Sequence, residues 1–202
     1  METLLRLAER TVFLVTPGPP AVYFIADDKA GGILVNAPPF DSSLHAELAC
    51  HAVVRYLFLP SHHGARDLAA WRDQKVEVLA FEAEVPFIDG IVDVAIDSRQ
   101  KLTRTIDFLP MAGRTPGTCG LRIKSLPGVL FLGPALRLGE DGWPQLLRND
   151  DDFSYETRLL GVFGLRDVRF DYLFTDSFVP GMTRFGPGAD ECVRAHLDAL
   201  LT

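Results

Sequence analysis

Residues 54–59 and 76–81 are two nearly unbroken apolar runs, Val-Arg-Tyr-Leu-Phe-Leu and Val-Glu-Val-Leu-Ala-Phe. Runs of this kind are strands buried on both faces, as in a parallel sheet covered by helices. The segment between them opens with the polar loop Pro60-Ser61-His62-His63-Gly64-Ala65-Arg66-Asp67 and continues as a helix through Ala69, Ala70 and Trp71. Strand, helix and strand make a βαβ unit with a right-handed crossover. The class is therefore α/β, and the rest of the chain must cover that sheet.

The other segments read accordingly. Residues 11–16, 21–26 and 32–36 are short runs rich in Val, Ile, Phe and Tyr. They are parted by Pro17-Gly18-Pro19-Pro20 and Asp27-Asp28-Lys29-Ala30-Gly31, both turn chemistry. A helix follows, capped by Asp41 or Ser42, with Leu44, Leu48 and Val53 as its apolar stripe. Later strand-like runs are 92–96, 105–109, 120–123 and 129–132. The loop 139–151 carries Trp143-Pro144 and runs into Asp150-Asp151-Asp152. That acidic run reads as a solvated stretch at a helix N-terminus, where negative charge suits the helix dipole. The helix covers about residues 154–165, with Leu159, Leu160, Val162 and Phe163 apolar. A strand at 172–175 and a helix at 190–201 close the chain, the helix placing Val193, Leu197, Leu200 and Leu201 on one face. No repeat or linker stands out. The expectation is one domain of residues 1–202, two sheets with helices outside them.

Charge and cysteine content narrow the function classes. Twenty Lys and Arg stand against 27 Asp and Glu, a net charge of −7. A nucleic-acid binder or a protein held on an anionic membrane needs a basic face, so neither partner is expected. No apolar run reaches the roughly 18–20 residues of a membrane span. The N-terminal leucines are interrupted by Arg6, Glu9 and Arg10, unlike a signal peptide. Cys50, Cys119 and Cys192 are odd in number and form no CxxC pair. They read as partly buried reduced thiols, which fits a cytoplasmic protein.

Four loops, in order, resemble those of the metallo-β-lactamase superfamily. Gly32-Ile33-Leu34-Val35-Asn36-Ala37-Pro38-Pro39 is similar to its early G-x-x-x-ID-x-P strand and loop. Leu57-Phe58-Leu59-Pro60 is similar to the strand that leads into its T-H-x-H-x-D-H motif. Gly113-Arg114-Thr115-Pro116-Gly117-Thr118 is similar to its G-H-T-P-G-S loop, and residues 130–136 to its L-F-x-G-D-x-L strand end. The resemblance covers roughly residues 10–180 and implies an αββα sandwich of four layers. It does not bring the metal ligands. Aligned without gaps, the three motif histidines fall on Ser61, His63 and Arg66, and the motif aspartate on Ala65. The later histidines fall on Arg114 and Asp176, and the metal-bridging aspartate on Pro134. Of the seven ligand positions, only His63 keeps the family's residue. Sliding by one residue puts His62 and Asp67 on motif histidines but spoils the strand match.

Three functions stay open. The first is a fold that has lost its dinuclear zinc site and binds a small anion in the old cleft. The candidate ligand-binding residues are Ser61, His62, His63, Arg66, Asp67, Arg114 and Asp176. A guanidinium is permanently charged and binds carboxylate or phosphate in bidentate fashion. Arg66 and Arg114 are expected in one cleft, or else closed off by acids such as Asp67 and Asp176. No metal, cofactor or catalytic residue is assigned in this reading. The second is a hydrolase with a remodelled mononuclear site at His62, His63, Asp67 and Asp176, acting on an ester, thioester, lactone or phosphoester. Against it, His62 and His63 are sequential, and in extended or turn backbone their rings should diverge. The third is an interaction scaffold, as a homodimer, with the early hairpin and Pro17–Pro20 as the surface.

Overall fold

The structure, a computed structural model, describes residues 1–201. The first sheet runs in chain order. It begins with β1 (Glu2–Leu7), β2 (Arg10–Thr16), β3 (Val22–Asp27) and β4 (Gly31–Val35), all antiparallel neighbours. Helix α1 (Ser42–Ala49) then crosses over to β5 (Val54–Leu59), and α2 (Leu68–Asp73) to β6 (Glu77–Phe81). Strand β7 (Val94–Ile96) ends the sheet, and β4 to β7 pair in parallel. The second sheet takes β8 (Ile106–Pro110), β9 (Cys119–Ile123) and β10 (Val129–Phe131) as antiparallel neighbours. A small hairpin, β11 (Arg137–Leu138) with β12 (Pro144–Gln145), and helix α3 (Tyr155–Phe163) follow. Strand β13 (Tyr172–Phe174) adds in parallel to β10, and α4 (Ala189–Ala199) closes the fold.

Alternation along the strands builds three apolar layers. Val12, Leu14, Tyr23 and Ile25 face Phe108, Leu121, Phe131 and Phe174 across the gap between the sheets. The alternate residues Phe13, Phe24 and, on β4, Leu34 turn the other way, onto Leu48, Leu68 and Trp71 of the first helical layer. On the second sheet, Leu130 and Leu173 turn outward onto Val162, Val193 and Leu197. The result is helix, sheet, sheet, helix, each large apolar side chain contributing about 1.5–3 kcal/mol by leaving water. Asp41 caps α1 by accepting from Leu44 N at 2.8 Å, and Ser154 caps α3 by accepting from Thr157 N.

Some sequence expectations are corrected here. The first residues, which carry no clear pattern, form edge strand β1, whose charged side chains suit a strand paired on one side only. Val53 is 68% exposed because α1 stops at Ala49 and the chain has already turned. Leu200 and Leu201 lie beyond the end of α4 and are exposed, while Val193 and Leu197 are buried. Leu160 points to water from the face of α3 opposite Val162. Cys50 is exposed, Cys119 buried and Cys192 between the two, all free. Among the described residues, no helix is long and apolar enough to cross a membrane.

Candidate functional site

Four loops that leave the C-terminal ends of strands meet at one edge of the sandwich. His63 sits on the 3₁₀ turn His62–Gly64 after β5. Arg114 follows β8, Pro134 lies in the 3₁₀ turn after β10, and Asp176 follows β13. Together with Pro19, Pro20, Arg137, Asn149, Asp151 and Ser177 they line a single cleft of about 430 Å³. In α/β sheets, ligands collect at strand C-termini because the loops there are free to vary. Pro17-Gly18-Pro19-Pro20 serves as a wall: Gly18 pairs with Phe178, and Ala21 N donates to the Asp176 carbonyl at 2.7 Å.

Glu84 is the hub under this cleft, and its side chain is fully buried. Its Oε1 accepts from His62 N at 2.7 Å and lies 2.5 Å from His62 Nδ1. Its Oε2 accepts from Thr115 Oγ1 at 2.8 Å and from Gly117 N at 2.7 Å. One carboxylate thus ties the histidine loop to the Thr-Pro-Gly loop. A buried carboxylate is tolerated only with such a full set of donors. Asn36 makes the other tie. It takes the left-handed conformation at φ 64°, and its Nδ2 donates to Ala21 O and to Asp176 Oδ1, both at 2.8 Å. Gly64 makes room for it, since a Cβ there would lie 1.9 Å from Asn36 Oδ1. Gly113, at φ +126°, lets the Arg114 loop lie against the start of α3, where a Cβ would meet Arg158 N at 2.3 Å.

Burial and charge set the protonation states. Asp176 is pushed up to about 7 by desolvation, against the hydrogen bond from Asn36 that pulls it down. His63 is held below the ordinary histidine range by desolvation, helped by repulsion from its neighbours His62 and Arg114. Arg114 Nη2 donates to Asp151 Oδ2 at 2.7 Å and Nη1 to the Asp151 carbonyl at 2.9 Å. Beneath it Arg158, fully buried, binds Asp152 with both carboxylate oxygens at 2.9 Å and donates to Ala135 O and Leu147 O. The acidic run is therefore not simply solvated. Asp150 is exposed, Asp151 holds Arg114, and the Asp152 side chain is only 3% exposed because Arg158 compensates its burial.

The structure brings His63, Arg114 and Asp176 together and sets the other sequence candidates apart. Ser61 is buried and its Oγ has no protein partner. His62 turns to Glu84, yet its ring meets that of His63 edge-on at 4.3 Å. The expected divergence of the two rings is thus corrected, because a 3₁₀ turn draws neighbouring side chains closer than extended backbone does. Arg66 is exposed and outside the cleft lining. Asp67 accepts from Phe40 N at 3.0 Å, on another loop. The sequence reading missed Glu84, Arg137, Asn149 and Asp151. An acid just past the buried strand 76–81 was the available signal for Glu84; Arg137 and Asn149 carried none.

Among the described residues, no group of three or more His, Cys, Asp and Glu side chains is placed to hold a metal ion. At the positions that the sequence resemblance aligns with metal ligands, the cleft presents His63 and a carboxyl already bonded to Asn36, beside a guanidinium and a proline. This donor set does not fit a two-metal centre, which needs several neutral imidazoles and carboxylates per ion.

No protein-family model matches the chain, and no curated protein matches it by sequence. Solved structures do match. A metallo-β-lactamase from Pontibacter korlensis superposes with TM-score 0.72 at 13% identity, over 100% of this chain and 99% of that one. A subclass B3 metallo-β-lactamase of Bradyrhizobium japonicum gives 0.67 at 14%, over 100% and 92%. The chemotaxis sensor ODP, solved as a peroxy diiron species, gives 0.67 at 16%, over 98% and 93%. Likeness at this identity establishes architecture: the chain has the metallo-β-lactamase fold.

Proposed function

We propose that this protein does not use the fold's two-metal centre and instead binds a small anionic ligand in the cleft, at Arg114, Arg137 and His63. The observation that carries this reading is the position of Arg114. The sequence resemblance aligns it with a metal-binding histidine, and its guanidinium lines the cleft alongside that of Arg137. Fixed side-chain cations replace metal cations, so the cleft favours anions but offers no Lewis acid. The ion pair of Arg114 with Asp151 is compatible with this, because Asp151 is 73% exposed. Asp151 is open to water on its outer side, so its hold on the enclosed Arg114 is partly screened and can be exchanged for a competing anion. A mononuclear hydrolase built from His62, His63, Asp67 and Asp176 draws no support, since Asp67 holds the Phe40 loop and His62 holds Glu84.

Calorimetric titration with inorganic phosphate tests the reading, paired with elemental mass spectrometry of untagged protein. Phosphate binding that disappears in Arg114→Ala, in protein without stoichiometric metal, is the expected result. Stoichiometric zinc, iron or manganese, or binding indifferent to Arg114, would overturn it.

A further inference from the structure

The two cleft arginines are held by one short turn. Arg114 grips Asp151 through its side chain and its carbonyl, and Arg137 Nη1 donates to Asn149 Oδ1. The turn therefore presents three oxygen acceptors, from two residues two apart in the chain, to two guanidinium groups. Arg114 is nearly enclosed, with 14% of its side chain exposed, whereas Asp151 projects into water. Arg137 is exposed and has no carboxylate partner among the described residues. The stronger acceptor sits on the enclosed arginine and a neutral amide on the open one.

We infer that the Asn149–Asp151 turn is a built-in competitor, occupying the place of a ligand that carries two oxyanion groups on one compact scaffold. This rests on the proposed anion-binding function. The ligand's first carboxylate or phosphate group displaces Asp151 from Arg114, and its second replaces the Asn149 amide on Arg137. Replacing a neutral acceptor by a charged one strengthens that hydrogen bond, which offsets the loss of the Asp151 contact. A single small anion gains only half of this exchange. The turn itself stays anchored by the buried pair of Arg158 with Asp152, so the exchange involves the side chains alone. No bond is made or broken in the exchange.

The test is calorimetric titration with succinate and with acetate, on the wild type and on Asp151→Asn, Asp150→Asn and Asp151→Asn/Arg114→Ala. Asp150 is the matched control: it is exposed and contacts neither arginine. Succinate should bind the wild type more tightly than acetate. Asp151→Asn should tighten succinate about fivefold, the equivalent of about 1 kcal/mol for removing an ion pair whose acid is exposed. Asp150→Asn should leave affinity nearly unchanged, and the double variant should lose binding. Equal tightening by Asp150→Asn would mean a long-range field effect and would overturn the competitor. So would unchanged or weaker binding by Asp151→Asn, with Arg114-dependent binding of phosphate and succinate by the wild type left standing. If neither wild type nor Asp151→Asn binds any of these anions, the anion-binding reading fails together with the competitor.

Discussion

Glu84 Oε1 lies 2.5 Å from His62 Nδ1 while Oε2 of the same carboxylate accepts from Thr115 Oγ1 and Gly117 N. A side chain outside all four loops of the resemblance therefore sets the spacing between two of them. His63 and Arg114 face each other across the cleft because this carboxylate holds the two backbones on which they stand.

Glu84→Gln puts an NH2 group where one oxygen meets donors, leaving buried N–H or O–H groups opposed. Unsatisfied buried groups cost about 1–3 kcal/mol each. The variant should unfold at lower denaturant, by about 2–4 kcal/mol in all, with an unchanged slope of free energy against denaturant. A midpoint equal to the wild type would show that Glu84 does not tie the loops.

Asp176→Asn should stabilise the protein, and only at higher pH. In the unfolded chain an aspartate ionises near 3.9, but in the fold Asp176 stays protonated up to about 7. Between those values the folded state holds the extra proton, so this group's contribution to stability falls as pH rises and levels off above about 7. Asparagine carries no such penalty and still accepts from Asn36. Thermal melts should show little difference near pH 4 and a gain of roughly 4 °C or more at pH 8, at about 2–4 °C per kcal/mol for a chain of this size. A gain independent of pH would mean that Asp176 is already ionised in the fold.

Arg158→Met should be among the most damaging single changes near the cleft. It strips Asp152, whose side chain is 3% exposed, of its buried partner, leaves Ala135 O without its guanidinium donor and leaves Leu147 O with Asn149 Nδ2 alone. Breaking a buried ion pair costs about 3–5 kcal/mol. The double variant Arg158→Met/Asp152→Leu should recover much of that loss in chemical denaturation, since apolar replacement of both partners is close to neutral. No recovery would place the damage in packing and not in charge.

Arg114→Ala should cost less, about 1 kcal/mol, because its close partner Asp151 is exposed and the buried Asp152, 3.6 Å from Arg114 Nη1, keeps its shorter contacts to Arg158. Its effect should appear in anion titration instead. A large fall in melting temperature would make the arginine a structural clamp.

Gly64→Ala should weaken the cleft from below. The added Cβ would meet Asn36 Oδ1 at 1.9 Å, and Asn36 holds the Asp176 carboxyl and the Ala21 carbonyl. Overpacking of this kind costs about 1–3 kcal/mol. Crystals of the variant should show Asn36 Nδ2 withdrawn from Asp176; an undisturbed bond would mean that the turn absorbs the methyl group.

Most of the architecture was legible in the amino-acid order. Period-two alternation in residues 11–16 and 21–26, and the unbroken runs at 54–59 and 76–81, are local consequences of which faces of a strand lose contact with water. The four family-like loops placed His63, Arg114, Pro134 and Asp176 at corresponding positions, and the fold brings those four into one cleft. The tertiary structure decided the rest. That His62 turns to Glu84 while His63 faces the cleft depends on a carboxylate 22 positions away. That Asp151 covers Arg114 and Asp152 is buried depends on Arg158, placed by α3. Apolar patterning is written locally because burial acts on each side chain by itself. Ion pairs and shared carboxylates are not, because a charge finds its partner only after the strands have set the loops side by side.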